Sequence, residues 1–196
     1  VYMGEDSGAT VYAAAFVGDG SGLTGITGSI SSLNDLTDVL VDSNNSMFLG
    51  TPPTNSTGID NTALGENSLK LNTTGVKNSA LGISSLEDNT TGNFNTALGE
   101  NSLKDNTTGS ENTASGGTSL YSNTTGWYNT ASGNTSLYSN TEGSFNTALG
   151  NGALFNNTIG NNNTASGLNS LFSNETGIYN TASGSGALAT NTTGNN

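Results

Sequence analysis

The chain has 196 residues, 15 acidic against three basic side chains for a formal net charge of −12, 31% hydrophobic residues, 28 glycines, and neither histidine nor cysteine. It therefore offers no imidazole base, thiolate nucleophile, zinc site or disulfide framework, and its acidity works against binding nucleic acid or anionic lipid. No apolar run nears the roughly 20 residues that span a bilayer, so no membrane insertion is expected, and the thin apolar content points to burial in something repeated or shared with a partner.

Val1 in first place is expected of a processed or excised part of a longer protein. Residues 1–43 carry no repeat and are expected to form an N-terminal strand and an intertwined connector. Val11–Phe16 (VYAAAF) has strand character and runs into the glycine-rich VGDGSGLTG of 17–25. The phosphate-loop pattern with its Lys-Ser/Thr ending is absent, so this stretch is read as a turn. Ile30, Leu33, Thr37 and Leu40 fall at spacings of three and four, which predicts one or two helical turns with Asp35, Asp38 and Asp42 outward; an irregular neck is the alternative. Residues 44–60 resemble a degenerate repeat unit in which Pro52 and Pro53 replace the leucine position, as suits a capping coil.

From Asn61 to Asn196 the chain divides without a gap into eight units of 17 residues, the first being NTALGENSLKLNTTGVK. Position 1 of each unit is always Asn (Asn61 and Asn112 among them), position 3 Ala, position 5 Gly (Gly65), position 9 Leu (Leu69, Leu120), position 12 Asn (Asn72, Asn123) and position 15 Gly (Gly75). Such register is the product of stacking, in which each residue meets its equivalent in the next unit. A unit of this length is too short for a helical hairpin, and two glycines per unit weaken any helix. The predicted fold is all-β: a parallel β-solenoid of 17-residue coils over residues 61–196. Short strands are expected at 62–64 and 68–70, with turns at Gly65, Asn72 and Gly75. Ala63 and Leu69 then point inward, and the two Asn columns form amide ladders that also satisfy turn backbone groups. One leucine and one alanine per coil bury little apolar surface against the cost of ordering 17 residues, which argues that chains associate.

Units of the form NTAxGxxxLxxNTTGxx, preceded by FVGDGSGLTG, resemble the shafts of phage tail fibres and related bacterial surface fibres, and more distantly the heads of trimeric autotransporter adhesins. The resemblance covers about residues 16–25 and 44–196. It implies three parallel chains in a homotrimeric fibre, an extracellular or virion setting, and attachment to a surface as the purpose.

The chemistry-bearing residues stand against that background. Glu66, Glu100 and the adjacent Glu87 and Asp88 lie on a ridge with no groove between them, so no enzymatic activity, cofactor or metal site is expected. Position 10 runs Lys70, Glu87, Lys104, Tyr121, Tyr138, Phe155, Phe172 and Ala189, and position 17 carries Tyr128 beside Trp127. Tyr121, Tyr138, Phe155, Phe172, Trp127 and Tyr128 are thus the candidate surface for a cell-surface glycan or protein receptor; the competing readings are rings that stiffen the shaft and rings buried between chains. Threonines at positions 2, 13 and 14 raise ice binding as a third function, although Glu142, Ile159 and Glu175 interrupt two of these columns and the other adjoins inward alanine. Asn72, Asn89, Asn106, Asn123 and Asn191 stand in glycosylation sequons, and glycans there would conflict with an Asn ladder.

Overall fold

The computed structural model describes residues 39–41, 46–49, 53 and 56–195, all within the unit spanning 32–196. The strand and glycine-rich segment expected at 11–25, and most of the helical segment expected at 30–40, lie outside the described residues.

The fold is an all-β parallel solenoid. Ten strands of three residues form one sheet in chain order: β1 (Val39–Val41), β2 (Met47–Leu49), β3 (Thr62–Leu64), β4 (Ser79–Leu81), β5 (Thr96–Leu98), β6 (Thr113–Ser115), β7 (Thr130–Ser132), β8 (Thr147–Leu149), β9 (Thr164–Ser166) and β10 (Thr181–Ser183). From β2 onward every pairing is parallel, with alanine over alanine from β3 to β10. From β3 to β10 each strand turns its alanine inward and the residues on either side outward, as the two-residue strand period requires. Glycine then ends it. Gly116 has φ of +137°, and a Cβ there would lie 2.6 Å from the carbonyl carbon and oxygen of Gly133 in the next coil.

The second strand expected at 68–70 is absent, and a run of tight turns takes its place. Asn67 and Leu69 have φ of 59° and 52°, and the equivalent positions repeat this in the coils that follow. Backbone N–H groups of Ser68, Lys70 and Asn72 donate back to the carbonyls of Gly65, Asn67 and Leu69 at 3.2, 3.4 and 3.1 Å. Between these turns, Leu69 and Leu71 donate to Ser85 and Glu87 of the next coil at 3.1 and 2.9 Å. The coil thus keeps its ladder without extended backbone. A left-handed leucine costs about 1–2 kcal/mol; here each one from Leu69 to Leu171 gains an inter-coil hydrogen bond and complete burial.

Polar groups fill most of the remaining interior. At position 12, Asn89 Nδ2 donates to Asn72 Oδ1 at 2.8 Å, Asn106 to Asn89 at 2.7 Å, and so on to Asn191. At position 1, the Asn78 backbone N–H donates to Asn61 Oδ1 at 2.9 Å, with its Nδ2 at 3.2 Å from the same oxygen. Both columns meet at glycine: the Asn61 and Asn72 amides donate to the Gly75 carbonyl at 2.9 and 3.0 Å, closing the coil across its turn. Position 8 serines add a bond to the position 5 carbonyl, as from Ser119 to Gly116 at 2.9 Å. No buried side-chain nitrogen or oxygen among the described residues lacks a partner, which is what buried amides require.

The segment before coil 1 is seated in the same register. Ser46 Oγ accepts the Asn61 N–H at 3.0 Å, as an asparagine Oδ1 does in later coils. Thr57 and Gly58 donate to the Thr73 carbonyl at 2.7 and 3.2 Å. Phe48 pairs with Ala63 and is buried at the head of the alanine column, as part of the same apolar core. β1 then pairs antiparallel with β2, Leu40 opposite Phe48. This corrects the helical expectation at Leu40: Val39 and Val41 flank it, and β-branched residues favour the strand.

Candidate functional site

Side chains at positions 10 and 17 stand outside the ladders and carry most of the chemical variety of the surface. Each meets its equivalent about one coil away, so each column is a series of matched pairs.

At position 10 the series begins with charge. Lys70 Nζ lies 3.5 Å from Glu87 Oε1, and Lys104 Nζ lies 3.9 Å from Glu87 Oε2. Lys104 then stands over the Tyr121 ring, 5.7 Å from its centroid. From there four rings stack: Tyr121 on Tyr138 at 5.2 Å, Tyr138 on Phe155 at 5.1 Å and Phe155 on Phe172 at 5.0 Å, with planes within 13° of parallel. These rings are half-buried. Their faces are covered by one another, and a 5 Å spacing leaves no room for a sugar ring between them. What they present outward is a row of edges.

At position 17, Lys77 stands over Phe94 at 5.1 Å. Tyr128 Oη donates to Glu111 Oε1 at 2.7 Å and its ring stacks on Phe145 at 5.3 Å. Trp127 leans against both rings, 5.3 Å from Tyr128 and 5.0 Å from Phe145. All three are exposed. The six candidate aromatics therefore fall into two groups with no ring contact between them among the described residues, and Phe145 belongs to the second. Its place in the same column as Tyr128, one coil on, was the signal for it.

Electrostatics follow the same neighbours. The hydrogen bond to Glu111 holds the Tyr128 phenol above its ordinary pKa, since the carboxylate accepts only from the protonated form. Partial burial raises the Asp105 carboxyl against the opposing pull of Lys104, with the Asp88 charge adding to the rise. Burial works against the Lys104 ammonium, but Tyr121, Asp105, Asp88 and Glu87 together outweigh it and its pKa is raised.

The acids do not form a centre. Glu66 and Glu100 are exposed, and among the described residues no three of Asp, Glu, His and Cys gather in a way that could hold a metal ion. Threonine hydroxyls at position 13 are tied to backbone: Thr73 donates to the Thr90 carbonyl and Thr90 to the Thr107 carbonyl, both at 2.9 Å. Position 2 threonines point outward instead, because neighbours of an inward strand residue face the other side. The sequon asparagines Asn72, Asn89, Asn106 and Asn123 are buried with their amide nitrogens engaged, so the folded coil has no room for a glycan on them. No helix of the described residues is long and apolar enough to cross a membrane.

Comparison of the chain with protein-family models, with curated proteins and with solved structures finds no match in any of the three.

Proposed function

We propose that residues 61–196 are the shaft of an extracellular or virion fibre, assembled from three parallel copies and serving to project or attach a surface-binding element. The observation that supports this most is the unbroken identity of the inner columns. Stacking residue on its equivalent through eight 17-residue coils builds length from one repeated set of inner contacts. Spacing, with no reaction in the coils, is the role such geometry serves. The resemblance of the NTTG-type units to fibre shafts supplies the parallel trimer and the setting.

Electron microscopy and sedimentation equilibrium of the purified chain test the proposal together. The expected result is a straight particle with three-fold symmetry and about three times the 19.7 kDa chain mass. A stable monomer at micromolar concentration overturns the trimer, and a compact particle overturns the shaft.

A second reading, attachment through the coils themselves, is favoured by one observation. Trp127, Tyr128 and Phe145 expose three mutually touching rings on one side of neighbouring coils, a surface suited to the apolar face of a sugar or receptor. Replacing Trp127 and Phe145 with Ser should then weaken binding to the natural surface without changing the sedimenting mass. Unchanged attachment overturns it.

A further inference from the structure

The outward face of the sheet has no partner among the described residues. It is made by positions 2 and 4 of every coil, the two residues that flank the inward alanine. Positions 1–5 of all eight coils contain no charged residue, on a chain of net charge −12; every charge between 61 and 196 lies at positions 6–17. Leu64, Leu81, Leu98 and Leu149 stand on this face, each 41–47% exposed. All-parallel sheets are almost always covered on both faces, and here the coil interior covers only one.

We infer that this face is the contact between copies of the chain, packed parallel and in register. The inference rests on the proposal that parallel copies associate, and adds the face and the register at which they meet. Charge selects the face. Copies approaching through positions 10–17 bring Glu87, Asp88, Asp105 and Glu111 against their own equivalents, and like charges facing each other at a contact cost several kcal/mol. Copies approaching through positions 2 and 4 meet only threonine, serine and leucine.

The order of residues along the face selects the direction. From coil 1 to coil 8, position 4 reads Leu, Leu, Leu, Ser, Ser, Leu, Ser, Ser. A parallel in-register copy sets leucine against leucine in four coils and serine against serine in the other four. An antiparallel copy sets leucine against serine in four of the eight. Burying a leucine against a hydroxyl forfeits part of the apolar gain and desolvates the hydroxyl, so the parallel arrangement is favoured.

The chain contains no cysteine, which makes disulfide trapping a clean test. Ser132→Cys places a thiol on the face and Thr125→Cys places one outside it, both at exposed positions. Under copper-catalysed air oxidation two of every three Ser132→Cys chains should be trapped as a covalent dimer, one disulfide per trimer, and the Thr125→Cys chain should stay single. In parallel, the double variant Leu81→Asp, Leu98→Asp should associate at least about tenfold more weakly, with circular dichroism retained because both side chains are already half in water. A wild-type oligomer that persists in the aspartate variant, or trapping of a dimer by Thr125→Cys and not by Ser132→Cys, overturns this face while leaving association intact. A wild-type chain that sediments as a monomer removes association itself and this contact with it. Cross-linking of Ser132→Cys mixed with Leu149→Cys as readily as of either alone overturns the register.

Discussion

The inner and outer columns of the solenoid solve the same stacking problem by different rules. Inside, one residue is repeated: leucine on leucine and asparagine amide on asparagine amide from coil to coil. Outside, the residue changes from coil to coil and the pair is what is kept. Lys70 meets Glu87, Lys104 meets Tyr121, and ring meets ring as far as Phe172. An interior site must suit a cavity of fixed shape, so one side chain serves in the alanine, leucine and asparagine columns and only Ser or Ala at position 8. An exterior site needs only a neighbour it does not repel, which leaves the surface free to vary.

Substitutions that break the inner rule should cost most. Leu120→Ala removes a wholly buried side chain between two others and should lower stability by about 2–5 kcal/mol per chain in thermal unfolding. Ser122→Ala, two residues away and half-exposed, should change it little; equal shifts from the two would mean the interior is not packed as described. Asn123→Leu comes next. It takes donors from Asn106 Oδ1 and the Gly126 carbonyl, and the acceptor from Asn140 Nδ2. Gly126 and Asn140 each keep one further bond, so Asn106 Oδ1 suffers most, and a loss of about 1–3 kcal/mol is expected.

The outer rule should be gentler to break. Tyr138→Ser removes two stacked pairs at once and should cost about 0.5–1.5 kcal/mol for each, with sedimentation unchanged. Asp105→Asn is expected to have the smallest effect and to depend on pH. Because the folded-state pKa of Asp105 is raised, its protonated form favours folding at low pH. That contribution is lost as pH rises through the raised folded pKa. The asparagine variant should therefore melt slightly higher than wild type at neutral pH, and the gap should close on acidification below the ordinary carboxylate pKa. A gap that widens on acidification would mean that Lys104 dominates over burial at this site.

Much of the interior was legible because stacking forces equivalent residues into one environment. Ala63 inside, Leu69 inside and both Asn columns follow from repetition alone. The backbone at 67–71 did not follow. Leucine inward between outward neighbours is the pattern of a strand, and the turns found there bury Leu69 while placing its neighbours outside the leucine column. The discriminating signal was position 7, where five of the eight coils hold Asn or Gly (Asn67, Asn101, Gly152, Asn169 and Gly186), residue types that enter positive φ most readily, while Ser84, Thr118 and Thr135 take the same backbone. At Leu40 the three-four spacing competed with a valine on each side, and pairing with β2 decided the outcome. Among the aromatics, the columns gave the neighbours. Whether a ring shows its face or its edge depends on the spacing between coils and on side-chain rotation, neither of which is written in residue order.

Because each coil makes the same inner contacts above and below, the solenoid can change length only in whole coils, and the outer columns decide which coil is dispensable. Excising residues 129–145 would bring Tyr121 onto Phe155, ring on ring, and Leu120 onto Leu154, with the contacts of Phe145 to Tyr128 and Trp127 given up. Excising 78–94 would set Lys70 against Lys104 with Glu87 gone from between them. Duplication meets the same condition in reverse: a copied ring coil extends its own stack, whereas a copied lysine coil needs an acidic one inserted with it. The surface pattern thus acts as a grammar for how such a chain grows, tolerant of repetition in its aromatic half and exacting in its charged half.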